Sequence, residues 1–191
     1  IHAIWLGETG QGLPNSVSGM LDIDDSLELP MSLLFQQQLS DPGARDRTLQ
    51  KAFAILEPMI NRLRQQPWWR DDWLRQVVNA SYRELNQACD RWRELYRTAK
   101  RQREYQHQIL GDQSRTDGDH KRARRLRNEA EAQIELLTNT RNFTEGDFYT
   151  YRYLASEGFL PGYNFPRLPV TAYLPGRRGV GGYSNNDEIL S

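Results

Sequence analysis

The side chains in this sequence that are best suited to chemistry are the bases between positions 97 and 127. This segment holds ten bases and four acids, an excess of six positive charges, although the whole chain has 25 residues of each sign. All but three of the chain's bases are arginine, whose guanidinium forks bidentately onto phosphate. The segment therefore predicts contact with phosphate or with an acidic partner, and an ordinary solvated helical surface is the alternative.

A second group of arginines alternates with aromatic residues and glycines nearer the C-terminus, over positions 149–178. Aromatic rings beside arginines are able to form a stacking platform and phosphate clamp for single-stranded DNA. A folded core is the alternative, and for most of these rings it is the better one. The predicted nucleic-acid contacts in the two groups are Arg101, Arg103, Lys121, Arg122, Arg124, Arg125, Arg152, Arg167, Arg177 and Arg178.

Other constellations do not amount to a catalytic, cofactor or metal site. The glycine-containing run at positions 7–12 lacks the lysine of a phosphate-binding loop. The paired aspartates at 24–25 and 71–72 could hold a metal, but the second pair better suits the first turn of a helix, where negative charge is favoured. Cys89 lies beside an apolar stripe, as a packed small hydrophobe does. We therefore expect no catalytic residue, cofactor or metal in this chain.

The elements that carry these side chains are predicted to be mainly α-helical, in four stretches. Residues 1–40 form loops and short helices that pack on a body outside the chain, and residues 41–67 form short helices. Residues 68–140 form a long antiparallel hairpin, resembling a coiled coil, with a basic tip. Residues 141–191 form an irregular aromatic segment, rich in glycine and proline, that leads into a further C-terminal region. The chain begins at Ile1 without an initiator Met, so we expect a fragment of a larger multidomain protein.

Capping and periodicity set the expected helix bounds. Asp41 and Pro42 predict a helix start, Pro58 should split that helix, and Pro67 should open the next one. The first of these helices is predicted to bury Leu49, Phe53, Leu56 and Ile60.

The hairpin is predicted from two apolar seams. The first runs along one continuous helix over residues 69–107, roughly 55 Å long. A break at 111–118 follows, and Asp119 caps the second helix. The first seam comprises Leu74, Val78, Ser81, Leu85, Ala88, Trp92, Leu95 and Ala99, widened by Tyr82, Cys89 and Tyr96. The second comprises Ala123, Leu126, Ala130, Gln133 and Leu137.

Two patches carry a resemblance to a known family. The run YTYRYLASEGFLPGYNFPRLP at 149–169 is similar to a stretch in large superfamily 2 helicases of bacterial antiphage systems, in particular the DISARM helicase subunit. The opening HAIWLGETG at 2–10 resembles the sequence just after the helicase core of those proteins. The resemblance implies an ATP-driven DNA translocase that recognises invading DNA beside a defence-system partner subunit. ATP and Mg²⁺ are then expected in the parent protein, because the helicase motifs are absent here.

Two functions follow from these observations. The first is a non-catalytic module of a DNA helicase or translocase that touches DNA backbone, the remainder of the helicase chain or a partner subunit. The second is a helical scaffold that only docks another protein, which the seams also allow. A single cysteine favours the reducing cytoplasm, and no apolar run approaches the ~20 residues that span a bilayer, so no membrane partner is expected.

Overall fold

A computed structural model of the protein describes residues 1–24, 28–138 and 149–162, and most of these residues are helical, which confirms the predicted mainly α class. Short 3₁₀ turns occupy Val17–Met20 and Glu57–Met59. The described helices are α1 His2–Thr9, α2 Leu33–Leu39, α3 Pro42–Leu56, α4 Ile60–Leu63, α5 Trp73–Ala88, α6 Asp90–Gly111, α7 Asp117–Thr138 and α8 Thr150–Ser156.

Helix α3 begins as predicted but buries a different face. The Asp41 carboxylate caps it by accepting the Gly43 N–H at 2.9 Å, and Pro42 takes the first turn. Its buried residues are Ala44, Thr48 and Ala52, and α1 packs on it. The predicted apolar face is wrong, since Phe53 is 54% exposed and Leu49, Leu56 and Ile60 are only half-buried. Small side chains form the contact because they let two helix backbones approach closely.

An ion cluster joins α1 to α3. The Glu8 carboxylate pairs with Lys51 and, at 3.1 Å, with Arg47, which also donates to the Glu8 carbonyl at 2.7 Å and to Asp41 at 2.6 Å. The hydrogen bond from Lys51 and those from Arg47 hold the pKa of Glu8 below its usual value. Two acids before α3, Glu8 and Asp41, are thus paired with bases of α3.

The two prolines of the second stretch have different outcomes. Pro58 does split the helix, because α3 ends at Leu56 and a 3₁₀ turn separates it from α4. Pro67 does not open a helix. The chain from 64 to 72 runs through tight turns, and α5 starts at Trp73. Hydrogen bonds from Trp69 N–H to Gln66 and from Trp73 N–H to Arg70, both 3.0 Å, close these turns.

The predicted continuous helix over 69–107 is wrong, because the chain breaks at Cys89 between α5 and α6. Every residue of the predicted first seam is nevertheless buried or half-buried. The antiparallel hairpin consists of α6 and α7, whereas α5 packs against α3 and α1. On α7, Gln133 is exposed and Ile134 takes its predicted place in the seam, since an apolar neighbour one position on gains more from burial.

Side-chain hydrogen bonds satisfy backbone groups freed at the break and tie the break to remote segments. The hydroxyl of Tyr153 on α8 accepts the N–H of Trp92 at 3.0 Å. Arg93 is 5% exposed and donates to the Asn86 carbonyl and amide oxygens at 2.7 and 2.6 Å, and to the Leu29 carbonyl at 2.9 Å. The two helices are therefore held in their bent arrangement by hydrogen bonds to α8 and to the loop before α2.

The core at the base of the hairpin includes much of the N-terminal stretch. We expected the apolar residues of 1–40 to pack outside the chain, and for most of them this is wrong. Leu33 and Leu34 remain exposed, at 74% and 66%. The buried ones are Trp5, Leu6, Val17, Met20, Leu21, Leu29, Met31, Phe35 and Leu39. They cluster with Leu85, Cys89, Trp92, Tyr96, Leu137, Tyr153, Leu154, Phe159 and Leu160.

We expect Tyr153→Phe to lower the free energy of unfolding by about 1–3 kcal/mol, because it leaves the Trp92 N–H buried without its acceptor. Tyr151→Phe is the matched control. Its hydroxyl donates to the Pro161 carbonyl at an exposed site, where water replaces the lost bond. Urea unfolding of both variants measures the difference, and equal losses would contradict the role given to Tyr153.

Candidate nucleic-acid interface

The tip of the hairpin is built by short-range capping bonds. The Asp112 carboxylate accepts the Ser114 N–H at 2.9 Å and its hydroxyl at 2.6 Å. The Asp119 N–H bonds to the Thr116 hydroxyl, and the Thr116 N–H to the Asp119 carboxylate, both at 3.2 Å. Thr116 is therefore the N-cap, and the predicted cap Asp119 is its reciprocal partner. These bonds lower the pKa of both aspartates, so both tip carboxylates stay ionised at neutral pH.

The hairpin displays most of the predicted contact residues but does not gather them on one face. Successive helix residues are about 100° apart, so Arg122 and Arg124 point to flanks roughly 160° apart. Those exposed are Arg101, Lys121, Arg122, Arg124 and Arg125, and Arg103 is half-buried. The bases therefore surround the hairpin, and an approaching phosphate chain meets positive charge on several sides.

Some of the hairpin bases form ion pairs with nearby acids, and others do not. Arg125 lies 3.6 Å from Glu129, and Arg127 lies 3.4 Å from Glu131. Exposed pairs of this kind contribute about 0–1 kcal/mol, so phosphate can replace the carboxylate at little cost. Within the described ranges no ion pair is formed by Arg101, Lys121, Arg122 or Arg124.

A groove of about 550 Å³ lies between the two helices of the hairpin. Arg103 and His107 of α6 and Arg127 of α7 line it, with Glu104 and Glu131 among the other lining residues. The Arg127 Nε–H is shielded from solvent and makes no hydrogen bond with the described residues. The Glu131 carboxylate lies 3.4 Å from this nitrogen, but not in line with the N–H bond. Opposite charges in the groove make it less favourable for an anion than the exposed arginines.

The remaining predicted contact residues lie elsewhere. Arg152 is half-buried on α8, next to Tyr153 at the base of the hairpin, and is engaged there. It does not join the exposed bases, because the hydrogen bond from Trp92 to Tyr153 places α8 beside the first turn of α6. Arg167, Arg177 and Arg178 lie outside the described residues.

Metal and nucleophile chemistry receives no support from the described residues. Across 1–24, 28–138 and 149–162, no group of three His, Cys, Asp or Glu side chains is placed to hold a metal ion. Asp71 and Asp72 do not lie in the first turn of a helix as predicted, because α5 begins at Trp73; Asp72 directly precedes it and accepts the Gln76 amide at 2.6 Å. Cys89 is fully buried, and burial raises its pKa to about 12, which keeps the thiol protonated and unreactive at neutral pH.

A tryptophan cluster was missed from the sequence. The rings of Trp68, Trp69 and Trp73 have centroids 5.2–5.9 Å apart at tilted angles, and Trp68 is 49% exposed. The shielded Trp69 Nε1–H finds no acceptor among the described residues, which costs about 1–3 kcal/mol. The tight spacing of three tryptophans among arginines, over positions 62–75, was the available signal.

In the part of the chain that the structure covers, no helix is both long and apolar enough to cross a bilayer. No protein-family model, no curated protein and no solved structure matches this chain.

We expect Thr116→Ala to destabilise the start of α7 by about 1 kcal/mol, because it removes the two bonds of the Thr116 hydroxyl, which accepts the Asp119 N–H and donates to the Asp119 carboxylate at 2.7 Å. Faster amide hydrogen exchange at residues 117–121 is the measurement. Thr98→Ala, at an exposed position of α6, is the control and should leave exchange there unchanged, since alanine is a good helix former. Unchanged exchange in Thr116→Ala would show that the tip does not depend on this cap.

Burial of Cys89 also predicts a pH dependence of stability. Its pKa is about 12 in the fold and near 9.0 otherwise, so the unfolded chain ionises first as pH rises. The stabilisation from this group is complete below pH 9 and is lost progressively towards pH 12. We expect the unfolding free energy of Cys89→Ala to fall less steeply than that of the wild type between pH 9 and 11. Parallel pH profiles would contradict this.

Proposed function

We propose that this chain is a non-catalytic helical module of an ATP-dependent DNA helicase or translocase in cytoplasmic antiphage defence, and that its hairpin contacts DNA phosphates or a partner subunit. The observation that supports this most is the set of exposed hairpin bases without an ion pair in the described residues. That set comprises Arg101, Lys121, Arg122 and Arg124.

The placement of these bases opposes the stability of the hairpin. Lys121 and Arg122 lie in the second turn of α7, close to the positive end of the helix dipole, which slightly disfavours cations. Like charges close together on an exposed surface also repel one another. Phosphate binding would relieve both costs and release condensed counterions from DNA.

The chemistry of ATP hydrolysis belongs, in this proposal, to other parts of the parent protein, which would bind ATP and Mg²⁺. The resemblance to antiphage helicases at residues 2–10 and 149–169 supports that assignment. Part of the first patch forms α1, which packs on α3 and contributes Trp5 and Leu6 to the core.

A protein-docking scaffold is the second candidate, and a different observation favours it. Leu33 and Leu34 of α2 are 74% and 66% exposed, and Leu136 of α7 is 65% exposed. Exposed apolar groups of this size are typical of protein contact surfaces when they cluster. Phosphate binding is the preferred function because four exposed hairpin bases lack an ion pair in the described residues. Of these three leucines, only Leu136 lies on the hairpin.

Binding to labelled duplex and single-stranded DNA across a salt series tests the proposal. We expect Arg122→Glu with Arg124→Glu to weaken binding strongly and to reduce the slope of log K against log salt by about 1–2. The matched control changes Arg45 and Arg83 to Glu, two exposed arginines away from the hairpin that also lack ion pairs in the described ranges. Its change of net charge is the same, so a contact at the hairpin predicts a clearly smaller loss.

Two outcomes would overturn the phosphate function. Equal losses in the two charge-reversed variants would mean that DNA responds only to net charge. Absence of binding at low salt by the folded wild-type chain would favour the docking scaffold, since a largely apolar surface is much less sensitive to salt.

A further inference from the structure

We propose that Trp68, supported by Trp69 and Trp73 and flanked by Arg64 and Arg70, binds the unpaired bases of single-stranded nucleic acid. This site lies between α4 and α5 and is separate from the hairpin. It therefore stands or falls independently of the phosphate contacts proposed above.

The turns between α4 and α5 fix the three rings. Trp69 N–H bonds to the Gln66 carbonyl, and Trp73 N–H bonds to the Arg70 carbonyl, so the backbone on both sides of the cluster is constrained. The ring of Trp68 packs at 5.9 Å from that of Trp69 and at 5.2 Å from that of Trp73, each tilted by 56°. Tilted packing supports the Trp68 ring from behind while about half of its surface remains open.

An open, supported indole suits stacking. A base that stacks on it replaces water on an apolar surface, and little side-chain freedom is lost because the ring is already held by its neighbours. Stacking is tolerant of base identity, because every base presents a π face. The expected ligand is therefore any accessible unpaired base.

The charges around the cluster favour an anionic ligand. Four arginines occur between positions 62 and 75, all of them exposed and none in an ion pair with the described residues. They are Arg62, Arg64, Arg70 and Arg75. Two exposed acids, Asp71 and Asp72, lie among them, so the segment at 62–75 keeps an excess of two positive charges.

The combination of rings and guanidiniums selects nucleic acid over other anionic partners. An acidic peptide would engage the arginines but leave the Trp68 face without a matching group. An apolar partner would cover the ring but desolvate unpaired arginines, which is costly. A nucleotide supplies a flat base and a phosphate together, and so satisfies both.

The test compares the 191-residue chain on two oligonucleotides of equal length and charge, an oligothymidylate and its fully abasic analogue. We expect the wild type to bind the thymidylate about fivefold or more tightly, from at least one base–aromatic stack. Trp68→Ala should remove this preference, and Trp68→Phe should retain part of it because a smaller ring still stacks. Phe53→Ala, which removes an exposed ring of α3 outside the cluster, should leave the preference intact.

The outcomes separate the two proposals. Arg122→Glu with Arg124→Glu should weaken the binding of both oligonucleotides alike and preserve the preference for the one with bases. If the hairpin proves not to bind phosphate, the proposal for Trp68 is therefore unaffected. Equal binding of the two oligonucleotides by the wild type would overturn the site. Retention of the preference in Trp68→Ala would overturn it as well. Circular dichroism of each variant verifies that the helices are retained.

Discussion

The break between α5 and α6 at Cys89 leaves backbone donors and acceptors of two helix ends inside the protein, and much of the core is arranged to bond them. A buried backbone group without a partner costs as much as a lost hydrogen bond. Tyr153 accepts from the Trp92 N–H, and Arg93 donates to the Asn86 carbonyl. The same arrangement serves the end of α7, where the Leu137 carbonyl accepts from the Trp92 indole at 3.3 Å and from Ser16 at 3.2 Å.

These bonds explain why the N-terminal stretch packs on this chain. Arg93 also donates to the carbonyl of Leu29, a residue with φ +49° whose side chain is buried. That conformation is uncommon for a residue with a side chain, and the arginine bond helps to hold it. The base of the hairpin is thus cross-linked by hydrogen bonds from three segments, while the tip depends only on its own caps.

What could be predicted from the sequence follows from the range of each interaction. The seam from Leu74 to Ala99 and the cap at Asp41 depend on neighbours within a few residues, so periodicity and residue type predict them. The break at Cys89 depends on Tyr153, which is 61 residues from its partner Trp92 along the chain. Local patterns carry no trace of such a partner. The exposed hairpin bases were predictable by composition, but their spread around both helices was visible only with the helix bounds known.

A net charge of zero says little about where this protein attracts anions. Folding brings Glu8 onto Arg47 and Lys51 of α3, so acid from the N-terminal stretch neutralises bases close to the core. Among the described residues, no ion pair is formed by the hairpin bases Arg101, Lys121, Arg122 and Arg124 or by the four arginines at 62–75. Screening limits electrostatic attraction between exposed charges to about 8–10 Å at physiological salt, so an approaching strand responds to each local surface and not to the total. The fold therefore separates charges that the sequence balances, and it leaves two basic surfaces on a neutral chain.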